Sequence, residues 1–168
     1  MSDTANIKIG ACTVNYKSVD LGHTWGGVTF SYEPEYVDIT ADQYGNTPVD
    51  KALLGEVVTV VARLNESTVV NFSKAIPLST LTSTTKATFG KDAGARLGTT
   101  GGVLILHPIV NGASKADDII LYKAVVSEAV EVEYTNEDER IIEVTFTALV
   151  DTTKATGSYL GLIGDSAS

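Results

Sequence analysis

Cysteine is almost missing from this chain, since Cys12 is the single cysteine among 168 residues. A lone cysteine excludes an intrachain disulfide, so packing and contacts between subunits have to stabilise the fold. Because Cys12 falls in a segment with the pattern of a strand, we expect a buried and unreactive thiol. A bond between Cys12 residues of two subunits is left open.

Residues that carry catalysis are scarce as well. Only His23 and His107 offer an imidazole base, and their positions, in a glycine-rich turn and at the end of an apolar strand, favour structural roles. The acidic pairs and triplets at residues 117–118 and 137–139 lack the spacing of a calcium loop. We therefore expect no catalytic, cofactor-binding or metal-binding residues, and a protein that is not an enzyme.

Long apolar runs and basic clusters are also absent. The longest apolar runs, residues 57–64 and 103–110, are interrupted by polar residues and too short for a membrane-spanning helix. The first six residues contain neither a basic nor an apolar leader, so we expect a protein made and kept in a cytoplasm. With 12 basic and 21 acidic residues the net charge is −9. Such a chain should repel nucleic acid, which suits a channel through which a polyanion slides.

What the chain does have is a two-residue alternation of apolar and polar side chains, which predicts a mainly β fold. The length fits one domain, residues 1–150, followed by a C-terminal tail or arm, residues 151–168, that we expect to dock on a neighbouring subunit. Turn residues predict a turn at 20–27 and a long loop at 42–50, and Pro34 is expected to end a strand. The predicted strands are residues 6–14, 28–33, 37–40, 55–64, 103–106, 119–127, 129–134 and 140–149.

The strongest strand prediction is residues 55–64, because both of its faces are largely apolar. One face carries Val58, Val60, Ala62 and Leu64, and the apolar character of the second face implies deep burial or an interface. A short helix should follow, capped by Asn65 or Ser67 and ended by Pro77. Its buried face is predicted to carry Val69, Phe72 and Ile76.

A hairpin is predicted near the C-terminus, with a polar turn at residues 135–139. Its core face would pair Val130, Val132 and Tyr134 with Ile142, Val144 and Phe146. The opposite face is then acidic, because it carries Glu131, Glu133 and Glu143.

Residues 26–66 contain four motifs in a fixed order: Gly27-Val28-Thr29-Phe30, then Ile39-Thr40-Ala41-Asp42-Gln43-Tyr44-Gly45, then Pro48-Val49-Asp50 and last Gly55-Glu56-Val57-Val58. In these motifs and their order the segment resembles the tail tube proteins of long-tailed bacteriophages. It implies a β-sandwich or split barrel with one flanking α-helix and long loops, assembled as hexameric rings that stack into a tube in the virion tail. It also implies other tail proteins as partners, namely the tape measure, the terminator, the baseplate or tip and, in a contractile tail, the sheath.

Two sets of residues follow as candidates for this assembly. The lumen-facing set carries the acidic strand face and two further carboxylates: Asp38, Asp42, Glu131, Glu133 and Glu143. A plain solvated outer face is the alternative for that set. The inter-subunit arm is predicted at the long loop: Asp42, Gln43, Tyr44, Gly45, Pro48 and Asp50.

Two other classes of protein compete with this interpretation. The first is another structural or binding β-module, such as a tail terminator, a capsid decoration protein or a carbohydrate-binding domain. A sugar binder would normally present an exposed aromatic platform, and this chain has one tryptophan, in a turn. The second is an enzyme, against which the scattered acid, base and nucleophile candidates argue.

Overall fold

The computed structural model describes residue 4 and residues 7–110 and 113–166. Within those ranges the chain is mainly β, as predicted, with one α-helix and short 3-10 turns. The strands are β1 (Cys12–Tyr16), β2 (Val19–Asp20), β3 (Thr24–Thr40), β4 (Pro48–Leu64), β5 (Thr80–Ser83), β6 (Lys86–Thr88), β7 (Gly102–Pro108), β8 (Ile119–Val126), β9 (Ile142–Ala148) and β10 (Gly161–Ile163), and the helix is α1 (Val69–Ala75).

One antiparallel sheet carries most of the strands, in the order β2-β1-β7-β8-β9-β4-β3, with β10 added beside β8. The short hairpin β5–β6 forms a separate two-stranded sheet. Because β1 also contacts β3, the large sheet curls and brings its two ends towards each other. No strand of the described residues pairs with the outer edge of β3.

The core lies on the concave face of this sheet. Val58, Val60, Ala62 and Leu64 are at most 4% exposed, which confirms the predicted inner face of β4. Tyr16 packs against this face, with its ring centroid 4.9 Å from that of Phe146. The Tyr16 hydroxyl donates to the carbonyl of Ala124 over 3.1 Å. The buried phenol therefore has its hydrogen bond satisfied.

Helix α1 closes one end of the core, but its cap and its buried face differ from the prediction. Thr68 is the N-cap, and its hydroxyl accepts from the backbone N–H of Asn71. The buried positions are Asn71 and Ala75, while Phe72 is half-buried. Asn71 is tolerated inside because its side-chain amide donates to the carbonyls of Leu21 and Glu66, at 2.9 and 2.8 Å.

Strand β3 is longer than predicted, since it runs from Thr24 through Pro34 to Thr40. Proline is compatible with this position because β3 is the edge strand, where one side of the backbone needs no ladder donor. The predicted turn at 20–27 is shortened to the connection 21–23 between β2 and β3, because β3 already begins at Thr24, with a register shift between Thr24 and Val28. Gly26 and Gly27 supply the positive φ angles there, 72° and 93°.

The predicted strand 129–134 and its hairpin are wrong, because no strand occurs between Val126 and Ile142. The core-facing Phe146 pairs with Val126 of β8 and not with a residue of 129–134, so that segment lies in the connection between β8 and β9. Val130 and Val132 still pack against the core, but Tyr134 is 67% exposed.

Both ends of the chain also differ from the prediction. The first strand is Cys12–Tyr16 rather than 6–14, and of the predicted range residue 6 lies outside the described residues. Near the C-terminus, Gly161–Ile163 pair with Leu121, Ile120 and Ile119 of the same chain. The division into domain and tail stays a prediction, but this part of the tail packs on its own sheet.

Candidate assembly surface

The hairpin of β3 and β4 extends well beyond the sheet. Strand β9 pairs with β4 only over Thr59–Leu64, so the rest of β4 pairs with β3 alone. We call residues 32–57 the distal hairpin. None of its residues is buried, so in a single chain it is held by its own ladder and contributes nothing to the core.

Exposed apolar side chains concentrate on the distal hairpin. It carries nine of the nineteen large apolar side chains that are exposed in the described part of the chain: Tyr32, Tyr36, Val37, Ile39, Tyr44, Val49, Leu53, Leu54 and Val57. Exposed apolar side chains concentrated on one element indicate a site of contact with a partner.

Both faces of the distal hairpin contribute to this surface. Tyr36 and Leu53 are cross-strand partners, and the two-residue period of β3 places them on the face that continues from the core. Val37 and Ile39 lie on the opposite face, and a register shift in β4 leaves Leu54 unpaired and 63% exposed. A partner could therefore pack on either side.

The tip of the distal hairpin brings together the six residues predicted as an inter-subunit arm. Asp42, Gln43 and Tyr44 form a single 3-10 turn, which Gly45 ends with a φ of 63°. Pro48 and Asp50 begin β4, so the predicted loop is shorter than 42–50. All six are exposed, and the Tyr44 side chain is 67% exposed.

Three of the lumen-facing candidates share one broad hollow, which we call the acidic concavity. Glu131, Glu133 and Glu143 line it together with Trp25 and Arg63, and its volume is about 870 Å³. Four further carboxylates complete its wall: Glu128, Glu137, Asp138 and Glu139. Arg63 is directly paired with Glu143 across β4 and β9, so part of this negative charge is already compensated.

The other two candidates, Asp38 and Asp42, lie on the distal hairpin and not in the acidic concavity. The Asp38 carboxylate is 3.0 Å from the Lys51 ammonium, its cross-strand partner. By register Asp38 is on the core-side face of β3, whereas Glu143 pairs with Arg63 on the outer face. In a single chain the five candidates thus form two separate acidic surfaces.

The residues with reactive side chains do not share one site. Cys12 and His107 lie on the paired strands β1 and β7, but His107 is the cross-strand partner of Thr13 and therefore faces the opposite side of the sheet from Cys12. His107 Nδ1 is 2.5 Å from a carboxylate oxygen of the buried Asp118, while His23 is exposed beside Glu66. Cys12 is half-buried, and this burial raises the pKa of its thiol. Over the described ranges, no group of three or more histidine, cysteine or acidic side chains is placed to hold a metal ion, and no helix is long and apolar enough to cross a membrane.

Sequence reasoning missed the length of the distal hairpin. The signal was present, because apolar residues alternate on both sides of Pro34, and Leu53 and Leu54 precede the predicted strand at 55–64. A proline in an edge strand does not end it. The pairing that leaves β4 unsupported beyond β9 is a tertiary feature with no local signal.

Comparisons with known proteins add little to this geometry. No family model matches the chain, and no curated protein matches it. Among solved structures, the chain is similar to one described as the virion of a native gene transfer agent particle, with a TM-score of 0.43 and 10% identity over 83% of this chain and 92% of that chain. A likeness at this level carries no argument about function.

Proposed function

We propose that this chain is a structural virion subunit, the tail tube protein of a long-tailed bacteriophage, which assembles as stacked hexameric rings. The observation that carries the proposal is the distal hairpin. It presents nine exposed apolar side chains on a two-stranded extension with no core of its own. Isolated two-stranded hairpins are at best marginally stable in water, so a neighbouring subunit is the natural support for it.

The open edge of β3 supports the same proposal. Strand β3 spans 17 residues and is the last strand of the sheet, which leaves a long row of backbone donors and acceptors without a described partner strand. Such an edge invites pairing with another chain. In a closed ring each subunit covers the edge of the next one, and the hazard of uncontrolled aggregation disappears.

The resemblance noted in the sequence falls on these same elements. Its first part, Gly27–Phe30, lies in β3, its middle part, Ile39–Gly45, reaches the tip of the distal hairpin, and its last part, Gly55–Val58, lies in β4. The middle part and residues 55–57 therefore lie on the distal hairpin, whereas Gly27–Phe30 and Val58 lie next to it, in the parts of β3 and β4 that pack on the core.

The acidic concavity is proposed to face the channel. A negatively charged wall lets DNA pass without specific binding, because phosphate contacts would hold the duplex. Under this proposal the protein has no catalytic role. Its partners are copies of itself and the other tail proteins, and its place is the virion tail, after assembly in the host cytoplasm.

The test removes the outer part of the distal hairpin, including its tip, while keeping the register of the remaining part. Val37 and Ala52 are cross-strand partners, so residues 38–51 can be replaced by Asn-Gly, the preferred two-residue hairpin turn. We expect a folded monomer that no longer assembles. The control shortens the separate hairpin in the same way, with Asn-Gly in place of residues 82–86 between the paired Leu81 and Ala87. Normal tubes from the first variant, seen by negative-stain microscopy, would contradict the proposal.

A further inference from the structure

The large sheet contains a cleft where β4 continues past the end of β9. Strand β7 occupies one edge of β8, so β9 and β10 share the other, β9 at Ala124–Val126 and β10 at Ile119–Leu121. On its far side β9 pairs with β4, but only over Thr59–Leu64. Beyond that point no described strand lies between β4 and β10. We call this gap the β4–β10 cleft.

The cleft is lined mainly by apolar groups and has a volume of about 230 Å³. Phe30, Tyr32 and Val58 form one wall, and Ile119, Leu121 and Ile163 contribute to the other. Ile163 is 72% exposed, although it belongs to a paired strand. The volume is below that of ordinary small-molecule sites, and it suits the side chains of an inserted strand better than a ligand.

Both walls offer backbone as well as side chains. The inner edge of β4 is unpaired before Thr59, and the outer edge of β10 has no described partner. A strand placed between them would find hydrogen-bonding edges on two sides, which is the geometry of strand addition.

A matching segment lies near the N-terminus of the chain. Ile7, Lys8 and Ile9 have the alternation of a strand but pair with none, and the two isoleucines are 72% and 85% exposed. Among the described residues, the segment is held by an exposed ion pair, Lys8 Nζ to Asp117 Oδ1 at 2.5 Å, and by a local hydrogen bond from the Ile7 N–H to the Thr4 carbonyl at 3.0 Å. A single surface pair restrains little.

We infer that Ile7–Ile9 of a second copy of this chain inserts into the β4–β10 cleft. Ile7 and Ile9 share one strand face and would enter the apolar side of the cleft, which places Lys8 on the opposite face. That outer face of the hairpin carries Glu33 and Glu35, the cross-strand partners of Val57 and Gly55. The charges are therefore complementary. The inference deepens the proposed function and rests on it, since it specifies one contact between subunits.

The experiment uses cross-linking between two separately purified variants in a Cys12→Ser background. One carries Ile9→Cys and the other Ile163→Cys, and they are mixed in equal amounts and treated with a mild oxidant. We expect a mixed disulfide dimer at several-fold the yield of a control in which Ile109→Cys replaces Ile9→Cys. Ile109 is also exposed and follows the end of β7. It lies near the N-terminal segment, because its backbone N–H donates to the carbonyl of Ala11. Equal yields of the two mixed dimers would overturn the inference.

A second measurement separates this contact from the assembly as a whole. Ile9→Asp should raise the protein concentration needed for assembly by about tenfold, and Ile109→Asp should leave it unchanged. Tubes without the Ile9–Ile163 cross-link would overturn the inference and leave the proposed function standing. The cross-link in dimers that never form rings would support the inference and contradict the proposed function. A chain that stays monomeric without a cross-link contradicts both.

Discussion

Arg63 and Glu143 are cross-strand partners on β4 and β9, and the Arg63 Nε–H donates to Glu143 Oε2 over 2.6 Å. The pair lies in the wall of the acidic concavity. Arg63 therefore neutralises Glu143, one of the predicted lumen-facing carboxylates. Glu131 and Glu133 have no such ion pair within the described part of the chain, so they carry the exposed negative charge that the proposed channel needs.

Reversing the charge of Glu131 or Glu133 should change how the assembled protein behaves towards DNA. We expect Glu131→Lys and Glu133→Lys to assemble into tubes that retain DNA, because lysines bind phosphates with a salt-dependent affinity. Asp92→Lys, in an exposed loop outside the concavity, makes the same change of charge and is the control. DNA retention by tubes and infectivity at equal particle number are the two readouts. Wild-type behaviour of the Glu131 and Glu133 variants in both would place these residues outside the channel.

The Arg63–Glu143 pair itself should contribute little to stability. Both side chains are about half exposed, at 47% and 50%, and exposed pairs contribute roughly 0–1 kcal/mol to the free energy of unfolding. A double-mutant cycle with Arg63→Ala and Glu143→Gln, measured by urea unfolding, should give a coupling energy in that range. The coupling should shrink at high salt. A salt-independent coupling of several kcal/mol would mean that the pair is desolvated.

Two neighbouring hydroxyls before α1 should respond in opposite ways to removal. Thr68→Ala removes the N-cap acceptor of the Asn71 N–H and should lower the free energy of unfolding by about 1 kcal/mol. The hydroxyl of Ser67 is buried and has no hydrogen-bond partner among the described residues. Ser67→Ala should therefore be neutral or slightly stabilising. Urea unfolding of both variants tests the assignment, and a larger loss for Ser67→Ala would reverse it.

Tyr16 should make the fold sensitive to alkaline pH. Burial raises the pKa of its phenol to about 12, above the value of about 10 for an unfolded chain. The stability that depends on the neutral phenol is complete below pH 10 and is lost as the pH rises towards 12. Tyr16→Phe should show a smaller fall in the free energy of unfolding between pH 9 and pH 11 than the wild type. Identical pH dependence of the two proteins would contradict this role for Tyr16.

The sequence predicts local features of this fold better than its pairings. The two-residue period of β4 identifies Val58, Val60, Ala62 and Leu64 as core because one buried face is enough to fix that pattern. The same pattern in residues 129–134 does not produce a strand, because Val126, and no residue of that segment, is the partner of Phe146. The register between β8 and β9 is set by tertiary packing and leaves no local signal.

In the candidate surfaces, too, the features with a local sequence signal are predicted and those set by strand pairing are not. The tip residues Asp42–Gly45 are predicted as an arm from turn chemistry alone, and the structure places them at an exposed tip. The grouping of Glu131, Glu133 and Glu143 also follows from alternation, although they meet in a hollow and not across a hairpin. Asp38 cannot be separated from them by sequence, since its face is set by pairing with Lys51.

Self-assembly of the purified wild-type chain tests the central claim most directly. Negative-stain electron microscopy over a rising concentration series should show hollow tubes built of stacked rings with sixfold symmetry. The distal hairpin and the open edge of β3 predict association between copies under this proposal, and the sixfold ring follows from the resemblance to tail tube proteins. A protein that remains strictly monomeric at the highest soluble concentration, with no virion containing it in many copies, would contradict the account.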